Sequence, residues 1–506
     1  MTSGGRRSRL QLLAVLCLTA SLVPVTTAGS GAATARPDAP GVSGRVPDDP
    51  PPPPVTWSPC PDLIYRCASA PVPVDYRHPR GPSLRIALIE HPASGPGPSL
   101  GPLVFNPGGP GESGVQILPI LEALVPAAVR ARFDLVSFDE RGTGLSDQLL
   151  CGPSPEVVAG IDPVDERPGR PLPGAADFGP MASACARRYP GLLRFVDSTS
   201  AARDLDRIRQ ALGARQISYW GLSYGTVLGA LYARLFPDRV RAMILDGAVV
   251  GSDPLARQAA EEAPAIVAAL RHYFTTCRGD PTCPLRADPA GLYATLAARL
   301  TRQPLPAPGR GDPVPVTLGD LYTATLFALS VPSYAAAFPR AVASALAGDG
   351  SGLRALALDL EQDLNGSSLV GPEWAITCND AASAPGPAAA GELARALAAR
   401  NGAVGAYAVT YLMAGCVNWP APLDPVTTLA VPGGPTLMVI GNTGDPNTPY
   451  VAARRLTRDL GRARLVTWRG WGHTWILNGP NDPCMVAVVD GYLIGGRVPG
   501  PATVCP

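Results

Sequence analysis

The sequence has 506 residues, which exceeds the roughly 250–300 residues at which a single hydrophobic core stops growing. We therefore expect a large domain that carries a second unit or a substantial insertion. The 42 basic and 41 acidic residues nearly balance, and the lack of a long basic stripe excludes nucleic acid as an expected partner.

Residues 1–35 have the pattern of a secretory signal peptide. Three arginines precede an apolar run at 10–25, and small residues follow that run. The run is shorter than the ~20 apolar residues of a membrane span, so a signal peptide is favoured over a retained anchor. We expect an exported protein that is secreted or associated with the cell envelope, without a stable membrane span. Residues 36–55 are rich in proline and predict an extended leader.

The cysteines after the signal region are even in number, which predicts disulfide bonds in an exported chain. Sequence alone does not decide their connectivity, and pairing of neighbours along the chain is our hypothesis. The expected pairs are Cys60–Cys67, Cys151–Cys185, Cys277–Cys283, Cys378–Cys416 and Cys484–Cys505. A metal site is the alternative, but no Cys-x-x-Cys spacing occurs and histidine is nearly absent nearby. We therefore expect neither a metal nor a cofactor.

Short β-rich runs alternate with amphipathic helical segments in both end regions of the mature chain. The predicted strands are 84–89, 103–105, 133–138, 216–220, 242–245, 436–440 and 465–468. The predicted helices are 203–212, 226–236, 450–460 and 483–494. This alternation predicts an α/β fold with a mostly parallel sheet and helices on both faces.

The alternation fails between residues 251 and 424, where the sequence is rich in Ala and Leu. The helices predicted there are 256–275, 292–300, 318–346, 353–364 and 391–399. Because the strand pattern returns afterwards, we expect 251–424 to be a helical cap inserted into one domain. Residues 56–250 and 425–506 would form the two parts of that domain's core.

The sequence Gly-Leu-Ser-Tyr-Gly at 221–225 fits the pattern G-x-S-x-G. It follows a β-rich run and precedes a helical run, which is the strand–turn–helix setting of a nucleophile elbow. Glycines suit such a tight turn, and Ser223 would lie at a helix N-terminus, whose dipole favours developing negative charge. An ordinary turn with a capping serine is the alternative.

A serine nucleophile needs a base and an acid that orients it. His473 follows the last predicted strand, where the chain order Ser…Asp…His places the base. Asp445 follows the preceding strand of that region and is the favoured acid, with Asp246 as the runner-up. The alternative for His473 is a purely structural histidine.

Two backbone segments are expected to bind the developing oxyanion. One donor is the N–H of Tyr224, directly after the nucleophile. The other is the N–H of Gly108 or Gly109, in the glycine-rich segment 106–114 after an early strand. A phosphate-binding loop is the alternative for that segment, but no Gly-Lys-Ser/Thr follows.

These segments together resemble the exported tripeptidyl aminopeptidase-like family, serine peptidases of the α/β-hydrolase fold that are related to prolyl aminopeptidases. The matching segments stand in the family's order at 57–60, 106–114, 138–146, 221–225, 376–380, 416–420, 445–449 and 472–473. The family's C-terminal region corresponds to about residues 400–506. Two details depart from the family: its His-Gly-Gly-Pro-Gly begins here with Pro107, and its Gly-His-Gly ends here with Thr474.

The resemblance implies a serine exopeptidase that acts near the free N-terminus of a peptide substrate and releases tripeptides. Such an enzyme needs a carboxylate for the substrate ammonium, and the candidates are Glu373, Asp380 and Glu112. An esterase or lipase-like hydrolase with the same triad is the second hypothesis, since fold does not fix substrate. A non-catalytic binding protein is the third, and a monomer is favoured over an oligomer.

Overall fold

The computed structural model describes residues 51–60, 64–165, 167–308, 312–361, 368–417, 419–420 and 422–506. The expected signal peptide and most of the expected Pro-rich leader lie outside these residues. The described residues all belong to one unit of the chain, which spans 43–506.

A ten-stranded sheet organises the chain. Its strands are β1 (Ser58–Pro59), β2 (Arg66–Pro73), β3 (Ser83–His91), β4 (Pro102–Asn106), β5 (Asp134–Phe138), β6 (Ile217–Leu222), β7 (Val240–Asp246), β10 (Leu437–Gly444), β11 (Ala463–Trp471) and β12 (Thr503–Cys505). Their order across the sheet is β1-β2-β3-β5-β4-β6-β7-β10-β11-β12. Strands β1, β2 and β3 are antiparallel to their neighbours, and all pairs from β5 to β12 are parallel. The predicted mostly parallel sheet and its seven predicted strands are confirmed.

Helices cover both faces of this sheet, as predicted. Outside the segment between β7 and β10, they are α1 (Gly114–Leu124), α2 (Ala127–Arg130), α3 (Pro155–Ala159), α4 (Ala175–Phe178), α5 (Met181–Arg188), α6 (Ser198–Ala211), α7 (Gly225–Leu235), α15 (Tyr450–Leu460), α16 (Trp475–Asn478) and α17 (Pro483–Leu493). Along β4, Val104 packs in the buried cluster with α6, α7 and α15, while Leu103 and Phe105 pack in the cluster with α1 and α17. Successive strand residues point to opposite faces of the sheet. The apolar run of β4 therefore contributes side chains to both buried clusters.

The segment between β7 and β10 contains helices and one hairpin. They are α8 (Leu255–Gly279), α9 (Pro289–Arg302), β8 (Leu305–Ala307), β9 (Asp312–Val316), α10 (Leu318–Ser330), α11 (Pro332–Leu346), α12 (Ser351–Glu361), α13 (Val370–Asp380) and α14 (Pro387–Met413). We call these elements the cap. Strands β7 and β10 are parallel neighbours in the sheet, so the chain leaves the sheet for the cap at the carboxyl end of β7 and returns to it at the amino end of β10.

Two predicted cap helices differ from the structure. The helix predicted over 318–346 is two helices, because Val331 is extended (φ −129°, ψ 128°) and Pro332 begins α11. A residue before proline is disfavoured in the helical region, and proline is well placed at a first helical position. The helix predicted over 391–399 extends from 387 to 413 and is interrupted at Gly402, where φ is 72°.

Five disulfides join the cysteine pairs expected from neighbour pairing, which confirms that hypothesis. Cys484–Cys505 joins α17 to β12, and Cys378–Cys416 joins α13 to the turn after α14. Within the described part of the chain, no helix combines the length and apolar character needed to cross a membrane.

Candidate active site

Ser223 lies in a tight turn between β6 and α7 at the carboxyl edge of the sheet. Its φ is 53°, a left-handed conformation that residues with side chains rarely adopt. A Cβ on Gly221 would lie 2.2 Å from the Gly225 carbonyl oxygen, and one on Gly225 would lie 2.5 Å from Asn106 Oδ1. Both glycines of G-x-S-x-G are therefore needed for the close approach of backbone in this turn, which leaves Ser223 partly exposed.

His473 and Asp445 are in contact and buried. Nδ1 of His473 lies 3.1 Å from each carboxylate oxygen of Asp445. The carboxylate also accepts hydrogen bonds from the backbone N–H groups of Asn447, Thr448 and Thr474 and from the Thr448 hydroxyl. These donors hold the carboxylate in place, so that Nδ1–H can donate to it and Nε2 is left to accept a proton.

The electrostatics of this pair favour the imidazolium. Burial of His473 disfavours its charged form, but the charge and hydrogen bond of Asp445 outweigh burial, so the pKa of His473 is raised above its ordinary value of 6.5. His473 is also close to the end of β7, since a Cβ on Gly247 would lie 3.2 Å from His473 Cε1. The N–H of Ser223 donates to the Asp246 carbonyl at 2.9 Å, so the serine turn and the imidazole flank the same strand end.

The runner-up acid, Asp246, has a different set of partners. Its carboxylate accepts the N–H groups of Trp475 and Ile476 at 2.8 and 3.1 Å. Burial raises its pKa to about 7, although these hydrogen bonds favour the ionised form. Asp246 therefore holds the start of α16, and of the two acids Asp445 is the one in contact with His473.

Thr474 has a conformation that suits glycine better than threonine. Its φ is 61°, and a β-branched residue in this region is strained. This is the position at which the resembling family usually has the second glycine of Gly-His-Gly. The substitution keeps the N–H that donates to Asp445 at 3.2 Å, but it places a strained residue directly after His473.

The predicted oxyanion donors lie beside Ser223. A Cβ on Gly108 would lie 2.9 Å from Ser223 Cβ and 3.4 Å from Tyr224 N. The N–H of Gly108 donates to the Asn106 side chain at 3.1 Å. Among the described residues no group accepts the N–H of Gly109 or of Tyr224. Those two donors are therefore the ones open to an oxyanion, while Gly108 shapes the space.

Tyr224 also links the core to the cap through its hydroxyl. The hydroxyl donates to Glu140 at 3.2 Å and contacts the hydroxyl of Ser198. Asp380, on α13 of the cap, accepts both the N–H and the hydroxyl of Ser198. Burial raises the pKa of Glu140 to about 7 and that of Asp380 to about 8. Asp380, one of the predicted ammonium ligands, is thus engaged with Ser198.

The other two predicted ammonium ligands lie in different places. Glu373, on α13, lines a small cavity with Trp374 and Tyr411 in which Ser223 has no part. Glu112 is half-buried in the loop before α1. Burial raises the pKa of Glu112 to about 7, and the positive charge of His473 acts against this rise. The charges of Glu112 and His473 therefore interact.

A cavity between core and cap opens on Ser223. It is lined by Gly109 and Tyr224 on the core side, by residues of α8 and α14 on the cap side, and by Asp380. Its wall includes Glu262 of α8, a residue that the sequence analysis missed. Glu262 lies on the buried stripe of α8 formed by Leu255, Ala259, Glu262, Ala263 and Ile266. A carboxyl on the apolar stripe of a helix is the sequence signal that points to it.

Comparison with known proteins gives related chains over nearly this whole length. Residues 401–505 match the family described as TAP-like protein. The chain is 32% identical over 491 residues to the serine protease Hip1 of Mycobacterium tuberculosis, covering 89% of this chain and 91% of that protein. It is also 32% identical to carboxylesterase B of the same organism, covering 89% of both chains. Tripeptidyl aminopeptidase of Streptomyces lividans is 29% identical, with 87% of this chain and 83% of that protein covered.

Proposed function

Because this chain belongs to the tripeptidyl aminopeptidase-like family of serine hydrolases with the α/β-hydrolase fold, we propose that it is a secreted serine exopeptidase. It cleaves peptides near a free N-terminus and releases tripeptides. The observation that carries the proposal is the contact of Asp445 with His473 beside the strained turn of Ser223. Five disulfides support export, since such bonds form and persist in oxidising compartments.

The proposed reaction begins with attack of Ser223 Oγ on the carbonyl carbon of the scissile amide. Nε2 of His473 takes the hydroxyl proton, and Asp445 stabilises the imidazolium that forms. The negatively charged oxygen of the tetrahedral intermediate accepts the N–H groups of Tyr224 and Gly109. The C–N bond then breaks, and His473 gives its proton to the leaving amine.

The remaining acyl-enzyme is an ester of Ser223 with the N-terminal part of the substrate. Water attacks this ester, and His473 takes a proton from the water as it did from the serine. Collapse of the second tetrahedral intermediate breaks the ester C–O bond and returns the proton to Ser223 Oγ. A peptide with a free carboxylate leaves.

Two features support an exopeptidase within this reaction class. Residues of the cap helices α8 and α14 line one side of the cavity at Ser223, and this limits the room for a long chain passing through. Relatives that carry the names serine protease and tripeptidyl aminopeptidase cover most of the chain. Of the predicted ammonium ligands, Glu112 interacts electrostatically with His473, and Asp380 accepts hydrogen bonds from Ser198.

A carboxylesterase is the second candidate. The same triad cleaves esters, and the chain is as similar to carboxylesterase B as to Hip1.

A substrate panel separates the two candidates. Purified mature protein and Ser223→Ala are assayed with fluorogenic amides of one amino acid, a dipeptide and a tripeptide, each with free and acetylated N-terminus, and with a short acyl ester. Turnover of free-amine tripeptides, loss on acetylation and an inactive Ser223→Ala are the expected results. Turnover of the ester alone would replace the peptidase with an esterase, and equal rates for wild type and Ser223→Ala would exclude Ser223 as the nucleophile.

A further inference from the structure

The cavity at Ser223 is lined by apolar residues, by the paired Glu261 and Arg455, and by the buried carboxyl of Glu262. The apolar wall is formed by Val227, Val250, Leu255 and Leu412. Glu262 projects from α8 into this wall and is 4% exposed. No hydrogen bond or ion pair joins its side chain to any of the described residues. A buried polar group without a partner is costly, and such groups in native proteins call for a ligand or an equivalent explanation.

The neighbouring residue in the same helix shows what a structural carboxylate looks like here. Glu261 forms a two-pronged ion pair with Arg455 of α15, at 2.6 and 2.7 Å. Burial alone would raise the pKa of Glu261, but Arg455 lowers it below its ordinary value. Arg455 is further paired with Asp253 at 2.6 Å. Glu261 is thus neutralised by protein, and Glu262, one residue later, is not.

The electrostatics of Glu262 suit a cationic ligand. Burial, with a smaller contribution from the charge of Asp445, raises the pKa of Glu262 well above its ordinary value. A positive charge in the cavity would favour the ionised form, because an opposite charge within a few ångströms stabilises a carboxylate.

The position of the cavity indicates which half of the substrate it holds. The leaving amine must lie within reach of His473 to receive its proton. Ser223, Tyr224 and Gly109 line this cavity, and so does Thr448, whose hydroxyl lies 3.3 Å from His473 Nδ1. We assign the cavity to the acyl half, the part of the substrate that becomes attached to Ser223.

We propose that Glu262 is a specificity-determining residue that binds a cationic nitrogen carried by the acyl half of the substrate. This inference rests on the proposed Ser223 chemistry and deepens it. The cation has two possible sources with the same chemistry: the α-ammonium of a short peptide, or the side chain of Arg or Lys at the cleaved bond. Both place an N–H-bearing positive charge opposite the carboxylate, a charge-assisted hydrogen bond.

Matched substrates distinguish the two sources. The first pair is the free-amine Ala-Ala-Ala aminomethylcoumarin amide and its analogue without the amino group, propionyl-Ala-Ala. The second pair is acetyl-Ala-Ala-Arg amide and its neutral citrulline analogue. Wild type is expected to prefer the cationic member of at least one pair by roughly 10- to 100-fold in kcat/KM. Wild type that prefers neither cationic member would overturn the proposal before any variant is made.

Variants then assign the preference to a residue. Glu262→Gln is expected to remove the cation preference, with kcat/KM for the neutral member changed by less than about threefold. Glu261→Gln is the matched control, since it alters a carboxylate one residue away that is paired with Arg455, and it is expected to keep the preference. Loss of the preference in Glu112→Gln but not in Glu262→Gln would reject the assignment.

Three further cases have a defined interpretation. A Glu262→Gln variant that loses activity equally on cationic and neutral substrates, with unchanged circular dichroism, would indicate a structural role and overturn the proposal. If the wild type cleaves esters only, the proposed peptidase function fails, but p-nitrophenyl esters of the same four acyl groups still measure the cation preference. If Glu262→Gln does not fold, Glu262→Ala takes its place, and an unchanged cation preference in that variant would overturn the proposal.

Discussion

Replacement of Gly108 by alanine should lower activity by displacing Ser223, the proposed nucleophile. A Cβ at residue 108 would lie 2.7 Å from the Leu222 carbonyl oxygen and 2.9 Å from Ser223 Cβ. Return to ordinary contact at 3.4 Å requires a movement of about 0.5–0.7 Å in the loop or in the serine turn. A misplacement of about 1 Å can lower a rate about 10²-fold, and loss of one oxyanion donor lowers kcat by about 10²–10³. We expect Gly108→Ala to lower kcat about 10²-fold.

A matched control separates this displacement from backbone strain. Gly101 has nearly the same φ as Gly108, 95° against 101°, but no atom lies within 4 Å of its ideal Cβ. Both alanine variants should lose about 1–3 kcal/mol of unfolding free energy from the positive φ, whereas Gly101→Ala should keep kcat. The assays are kcat on a fluorogenic substrate, the rate of labelling of Ser223 by a fluorophosphonate, and chemical denaturation. Equal kcat values for the two variants would refute the geometric reasoning.

Four further predictions concern the acids Asp445 and Asp246, the pH dependence set by His473, the stability effect of Asp380, and Thr474. Asp445→Asn should lower kcat about 10⁴-fold because it removes the carboxylate that orients His473, whereas Asp246→Asn should lower stability with a much smaller effect on kcat; steady-state kinetics and thermal unfolding of both variants test this. Because the base must be neutral and the pKa of His473 is raised, activity should fall with decreasing pH at a pH above 6.5, and a kcat/KM profile with an acid limb below 6.5 would contradict this. The pKa of Asp380 is raised from 3.8 to about 8, so its contribution to stability is complete below about pH 4 and is lost as the pH rises to about 8; Asp380→Asn should flatten the decline in unfolding free energy over that range, and an unchanged decline would assign it to other groups. Thr474→Gly should raise stability by about 1 kcal/mol, since relief of positive-φ strain exceeds the added chain entropy, and a loss of stability would show that the side-chain contacts of Thr474 dominate.

Much of the fold was accessible to sequence reasoning because it depends on local patterns. Strand and helix periodicity predicted the seven central strands and the helices on both faces, since burial on a sheet or a helix face imposes a period of two or 3.6 residues. The pairing of neighbouring cysteines was confirmed at all five disulfides. The prediction of one continuous helix over 318–346 was wrong, although Pro332 is a local sequence signal for the start of a second helix.

Part of the site was also accessible, because its turns restrict the residues that can occupy them. The glycines around Ser223 and the loop at Gly108 permit backbone approaches that a Cβ would block. The glycine positions that reflect these restrictions can be read from the sequence. The order in which the strand ends occur along the chain can be read from it too, and the candidate triad lies at those strand ends. They led to Ser223, to His473 and to two candidate acids, of which Asp445 was favoured over Asp246.

The partners of chemically similar side chains become clear only from the tertiary structure. Asp445 and Asp246 both follow strands, and only packing shows that one contacts His473 while the other holds α16. Glu261 and Glu262 are adjacent in one helix and both line the cavity at Ser223, yet Arg455 from α15 pairs with the first and not with the second. The physical reason is that a local pattern constrains conformation and the buried face, whereas the partner of a charge depends on which distant element packs against it. The sheet and the tight turns at the candidate site thus follow from local sequence patterns, whereas the packing of α15 against α8 pairs Arg455 with Glu261 and leaves Glu262 without this partner.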